Sequence, residues 1–260
     1  MPSPPAEALT RRHQAELQAV AREVSRAVSA LASRAVPLAN VDGWFRTVLD
    51  RLLALVGGGW SASRTLGERY LVEHARIEGR AVVPARVRLD VEQLATSLRV
   101  TGPVAFKQSI AVGRAPVQAR TTMAKTMAAA SERLTLTGER DTVAATVEDS
   151  DEILGWRRVT DANPCAWCAL LASRGSVYLS ETSATRVVGR RGTARGNQGL
   201  GDAYHDGCTC IAEPLYAHED EPQSVLDLQE QWLTVTAGTG GKNAVRAWRR
   251  HWDKQQKDGG

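Results

Sequence analysis

The stretch ILGWRRVTDANPCAWC, residues 153–168, is where the texture of the chain changes. Its first half is short, apolar and aromatic or β-branched, which reads as a strand. Its second half turns at Asn163 and Pro164 and ends in a Cys-x-x-Cys pair, Cys165 and Cys168. Upstream, apolar residues recur at helical spacing as far as about residue 140. The sequence therefore predicts an α+β fold that is predominantly α. A helical N-terminal region should lead into a small Cys/His module and then a C-terminal helix.

The upstream helices can be placed one by one. Residues 8–34 lack Pro and Gly, and Leu17, Val20, Val24, Ala27 and Leu31 form an apolar stripe that suits a neighbouring helix or a short coiled-coil seam. A second helix should run from Val41 to Val56 and end at Gly57, Gly58 and Gly59. A third should follow over 61–78, carrying His74 on its apolar stripe with no partner nearby in sequence, which reads as a core or boundary histidine. Shorter helices fit 90–99 and 103–111. A long one fits 115–140, where Met123 and Met127 lie one turn apart as core filling.

Downstream, the loop GRRGTARGNQGLGD (189–202) is too rich in glycine for regular structure and carries Arg190, Arg191 and Arg195. An acidic turn at 219–221 precedes a helix over 224–234, a break at GTGG and a last helix over 243–257. In that last helix Trp248 and Trp252 alternate with Arg246, Arg249, Arg250, His251 and Lys254. The pattern suits either a cationic, aromatic face for DNA or tryptophans packed onto the body with their charges solvated. Four segments result: an N-terminal helical arm (1–36), a helical domain (37–150), a Cys-cluster module (151–218) and a helical tail (219–260).

Composition excludes several classes. The chain has 260 residues with 33 Lys+Arg against 29 Asp+Glu, a net charge of +4, and 43% hydrophobic residues. That is enough apolar chain to bury a core without disulfide staples, and the basic excess is so small that any affinity for polyanions must come from local patches and not from the overall field. The start, MPSPPAEALTRRHQ, does not read as a secretory signal. The apolar run near Leu52–Val56 is far short of the roughly 20 residues a bilayer span needs, so no membrane partner is expected.

All four cysteines fall between Cys165 and Cys210, with His205 among them: YHDGCTC (204–210) supplies His205, Cys208 and Cys210. A Cys-x-x-Cys knuckle aims two thiolates at one ion, and a second short element can close the tetrahedron that zinc favours. In extended backbone, Cys208 and Cys210 share a side. The candidate metal ligands are Cys165, Cys168, His205, Cys208 and Cys210, with His205 able to replace Cys208 or Cys210. Four sulfurs leave no position for water, so such a site would be structural. A thioredoxin-like use lacks a βαβ context, and an HNH-type nuclease lacks further histidines near the second pair.

The segments GWRRVTDANPCAWCALLASRGSVY and YHDGCTCIAEPLY together resemble the Mu F-like phage head morphogenesis family in its actinobacteriophage form. The resemblance rests on Asp-x-x-x-Cys-x-x-Cys followed by Gly-x-x-Tyr, and on His-x-x-Cys-x-Cys-x-x-x-Pro. It covers Gly155–Tyr178 and Tyr204–Tyr216, with a looser likeness in the preceding helices and in the W…T…G…WRR tail. It implies a minor head protein that assembles in the host cytoplasm with portal protein, major capsid protein and scaffold, inside the procapsid or virion. Proteins of this form are often labelled capsid maturation protease. For that activity the residues offer Cys208 or Cys210 as nucleophile and His205 as base, provided those thiolates are free of metal. A third expectation is DNA contact through Arg190, Arg191, Arg195 and the 243–257 helix, weakening as salt rises.

Overall fold

The computed structural model describes residues 3–33, 40–175, 206–216 and 221–258. His205, His218 and the arginines of the 189–202 loop lie outside the described residues. The fold is predominantly α with one small sheet. Helices α1 (Pro4–Ser33), α2 (Val41–Ile77), α3 (Val91–Arg99), α4 (Ala105–Ala111) and α5 (Pro116–Asp149) precede strand β1 (Gly155–Val159). Helix α6 (Ala166–Ala172), strand β2 (Ile211–Leu215), α7 (Gln223–Val235) and α8 (Gly241–Asp258) follow. No helix among the described residues is long and apolar enough to cross a membrane.

The three long helices α1, α2 and α5 pack side by side. Their shared core holds Val24, Val28, Leu52, Val56, Met123 and Met127, closed at one end by Leu94 and Leu98 of α3 and Phe106 of α4. Between α3 and α4 the helix widens into a π turn at Val100–Val104, where Pro103 removes a donor and Gly102 leaves regular helical geometry. A carbon at Gly102 would stand 3.0 Å from the Met127 sulfur, so the kink seats this segment against α5.

The predicted break at Gly57–Gly59 does not occur: α2 runs unbroken through it, merging the two expected helices. The physical reason is close helix packing rather than a turn. A Cβ at Gly59 would stand 2.6 Å from Val24 of α1, and a Cβ at Gly138 of α5 would stand 2.2 Å from the Trp60 carbonyl of α2. Glycine is there to let backbones approach, and burial of the flanking Val56 and Trp60 outweighs its poor helix propensity. Helix α5 likewise continues past residue 140 to Asp149, because Val143 and Val147 bury against the sheet.

Strands β1 and β2 pair antiparallel with Gly155 opposite Leu215, Arg157 opposite Glu213 and Val159 opposite Ile211. A two-stranded ribbon is marginal alone. Here Trp156, Ala212 and Tyr216 pack on Leu71, Ala75, Val143 and Val147, and Ile211 packs with Leu17, Ala21 and Leu136. The sheet is thus laid against the middle of α1 and the C-terminal halves of α2 and α5. Helices α6, α7 and α8 form a separate apolar cluster around Trp248, with Leu170, Leu228, Trp232 and Trp252.

Candidate metal centre

Three thiols meet in one buried place. The sulfurs of Cys168, Cys208 and Cys210 all lie within 4.8 Å of one another, and each residue is only 2–3% exposed. The Cys168 and Cys208 sulfurs are 3.4 Å apart, and all four cysteines are free thiols. A tetrahedral zinc with bonds of about 2.3 Å spaces its sulfurs about 3.8 Å apart, so this triangle is of the size a metal ion needs. Cys165 stands at the exposed edge, its sulfur accepting the Cys168 backbone N–H at 3.4 Å as the cap of α6. Cys165 is the group available to complete a four-sulfur set.

Two chain segments carry these thiols, and each is fixed from outside. The Cys208–Cys210 segment lies along α5. Arg133 donates to Asp206 at 2.7 Å, Gly207 N–H donates to the Ala129 carbonyl at 3.2 Å, and Arg140 reaches the Cys208 and Cys210 carbonyls at 2.8 and 2.7 Å. Asp161 joins the two segments: one carboxylate oxygen accepts Asn163 N–H at 3.0 Å, and the other accepts the Thr209 hydroxyl. That explains why an aspartate stands four residues before Cys165. On the far side, Trp248 and Trp252 of α8 donate their indole N–H groups to the Ala166 and Pro164 carbonyls, each at 2.7 Å.

The electrostatics favour a thiolate at Cys208. It accepts hydrogen bonds from Cys168 and Cys210, and the Arg140 and Arg158 guanidiniums add positive potential, so its pKa lies far below the ordinary thiol range. Cys168 is pushed well up by its hydrogen bonds to Cys165, Cys208 and Cys210. Cys210 is raised to about 12: the bond from Cys168 lowers it, but its hydrogen bond to Cys208, burial and the Cys208 charge outweigh that. Metal binding to thiols displaces protons, and the Arg140 and Arg158 charges near Cys208 favour that loss.

Of the five candidate ligands, the structure brings together Cys168, Cys208 and Cys210 and sets Cys165 beside them; His205 is not among the described residues. In the terminal helix, Trp248 is buried against the body, while Arg246, Arg249 and Arg250 remain exposed.

Sequence reasoning missed a second feature: a buried polar network where the sheet meets the helices. Glu213 of β2 accepts from Thr10 of α1 at 2.8 Å and from Arg157 of β1, with His74 at 3.7 Å. Thr10 also bonds the Tyr70 hydroxyl at 2.9 Å, and the His13 ring stacks on Tyr70 at 4.1 Å. His13 stands 3.6 Å from Glu139, which is fully buried. His74 is therefore buried, as its place on an apolar stripe suggested, and its partner lies far away in the chain. The only local signal was Arg157, Arg158 and Glu213 occupying strands otherwise made for burial.

Burial raises the Tyr70 hydroxyl well above its ordinary pKa, and Glu213 adds to the effect. Burial also pushes the Glu213 carboxyl up, but His74, Arg157 and Thr10 outweigh it and leave the carboxyl below its ordinary value. Glu213 is held as an anion clamped to α1, α2 and β1.

No solved structure gives a significant match to the chain. The Gene 15 protein of Mycobacterium phage D29 is 25% identical over 140 residues, which is 47% of this chain and 51% of that protein. The match thus spans about half the length of that relative. The VG15 protein family matches residues 4–235, from the first helix through α7 and across both cysteine segments. Bundle, sheet and thiol cluster all fall inside that match, so this is a bacteriophage protein and the chain belongs to the VG15 protein family.

Proposed function

We propose that the chain is a minor head protein of a tailed phage that acts in procapsid assembly with portal, scaffold and major capsid protein, and that its cysteines hold a structural zinc ion. The observation that carries this reading is convergence. Asp161, Cys165, Cys168, Cys208 and Cys210, the aspartate and cysteines of the Mu F-like resemblance, all meet in one cross-braced module. Pro214 and Tyr216 of the same motif lie in or beside the strand that joins the module to the bundle. Cys168, Cys208 and Cys210 suit zinc in charge, softness and spacing, and Cys165 at the edge of the triangle would move in as the fourth ligand. The ion would close the module without an open coordination position, and its binding free energy would become folding free energy. The chain's activity is then binding, through surfaces that the staple holds in place.

Co-expression with the portal, scaffold and major capsid proteins of the same phage tests the reading. A complex with at least one of them, with none of them cleaved, is expected. Failure to co-purify with any of the three overturns it. Specific cleavage of scaffold or capsid protein that disappears in Cys208→Ala would instead assign the maturation protease; Cys208 is 2% exposed, which places its sulfur out of reach of a peptide bond as the module stands.

A further inference from the structure

Two surfaces that neither the thiol cluster nor the buried network uses are complementary to each other. The first is the tip joining α4 to α5. Ile110, Val112 and Val117 are 39%, 74% and 58% exposed there, an apolar knob held out into water. The tip is firmly built. Gly113 takes a φ of +83°, its N–H donates to the Ile110 carbonyl at 2.9 Å, and Arg114 N–H donates to the Ser109 carbonyl at 3.1 Å. The Arg114 side chain is tied to Thr122 at 3.1 Å. The end of the molecule around it is cationic: the sequence from Gln93 to Ser131 has no acidic residue and carries Arg99, Lys107, Arg114, Arg120 and Lys125. Lys107 is paired with Asp42 of α2, while Asp90 and Glu92 stand at the start of α3.

The second surface is the outer face of α7. Val225, Leu228 and Trp232 turn inward onto α6 and α8, which leaves Leu226 and Leu233 outside, 41% and 69% exposed, with Glu230 between them. Asp227 and Glu230 line a groove with His251 and Gln255 of α8. From Ile211 to Gly241 the sequence has no lysine or arginine. The tip thus shows aliphatic side chains among cations, and the α7 face shows aliphatic side chains beside Asp227 and Glu230, in a groove whose α8 lining is His251 and Gln255 and not the exposed Arg246, Arg249 and Arg250 of that helix.

We propose that the α4–α5 tip of one copy docks on the α7 face of a second copy, head to tail. A tip-to-tip contact would oppose like charges, whereas tip to α7 pairs opposite charges and buries both aliphatic sets. A nucleic-acid partner would match the cations and leave the valines without a purpose. Such a contact is heterologous, so each copy keeps one free tip and one free α7 face, and the product is a ring or an open chain. The tip is already rigid, which lowers the ordering cost of docking.

Sedimentation velocity of the purified full chain over a range of concentration and salt tests this. Assembly should grow with concentration and weaken as salt rises. Val112→Asp and Leu233→Asp should each weaken self-association about tenfold or more. The decisive arm mixes the two variants. Each retains one sound face, so the mixture should form a dimer that cannot extend. Circular dichroism should show both variants folded, since both positions are exposed; Val117→Asp replaces Val112→Asp if that variant melts early. A wild-type chain that stays monomeric up to about 1 mM, the weak end of specific association, overturns the proposal. Assembly indifferent to both substitutions, or a mixture that stays monomeric, overturns it equally.

Discussion

The indole N–H of Trp248 donates to the carbonyl of Ala166 at 2.7 Å, and so ties the last helix of the chain to the turn between Cys165 and Cys168. Trp252 repeats the bond one turn on, to the carbonyl of Pro164. The knuckle is the start of α6, and the terminal helix adds donors to the Ala166 carbonyl in its first turn and to the Pro164 carbonyl just before it. Trp248→Phe keeps most of the packing against Trp232 and Trp252 but removes the N–H that the half-buried Ala166 carbonyl accepts. It should cost about 0.5–1.5 kcal/mol in urea unfolding and speed the reaction of Cys165 and Cys168 with a thiol reagent. Unchanged stability and unchanged thiol rates would show that the helix does not brace the knuckle.

Arg140 plays the same part for the second pair, spanning the carbonyls of Cys208 and Cys210. Arg140→Met removes three donated hydrogen bonds and the positive charge beside Cys208. We expect metal lost to a chelator at least about tenfold more readily, as befits loss of a group supporting a ligand set. Equal chelation kinetics in the variant would contradict that role.

Glu213 links the sheet to α1, α2 and Arg157, and its carboxyl lies below the ordinary value of 4.5. A group whose pKa is depressed by folding stabilises the protein above its unfolded pKa and loses that contribution as pH falls towards the folded value. Stability should therefore drop as the pH is lowered below about 4.5. Glu213→Gln should cost about 3–5 kcal/mol at neutral pH, because Arg157 is left buried without its carboxylate. It should also flatten the acid limb of the stability curve. A variant with the wild-type acid limb would assign that limb to other carboxylates.

The glycines of the helix crossing divide into two kinds. Gly58 faces open space, so Gly58→Ala should stabilise by about 0.5–1 kcal/mol through lower chain entropy. Gly138→Ala sets a carbon 2.2 Å from the Trp60 carbonyl and should destabilise by about 1–3 kcal/mol despite better helix propensity. Thermal unfolding of the two variants measures both; equal shifts would mean that α2 and α5 are not in close contact.

What was legible in the sequence was periodic or local. The apolar stripes gave the helices, the run around Trp156 gave β1, and the spacing of Cys165 and Cys168 gave the knuckle. Gly57 to Gly59 misled because glycine serves both as a helix stop and as a place for two helices to touch, and the choice depends on Val24 and Thr135, far off in the chain. Arg140 and His13 carry no local pattern, Tyr70 shows only as one member of a helical stripe, and Glu213 only as a charge in a strand otherwise made for burial. They are neighbours only because β2 lies against α1, α2 and α5, so their partnership appears with the tertiary structure and not before.

The most direct test of the account is the metal content of the purified, reduced full chain by inductively coupled plasma mass spectrometry, with free thiols counted before and after chelation. The account predicts one equivalent of zinc and the release of all four cysteines only once the metal is removed. A metal-free protein with four freely titrating thiols would contradict the staple and make the thiol-protease assignment of Cys208 the next experiment.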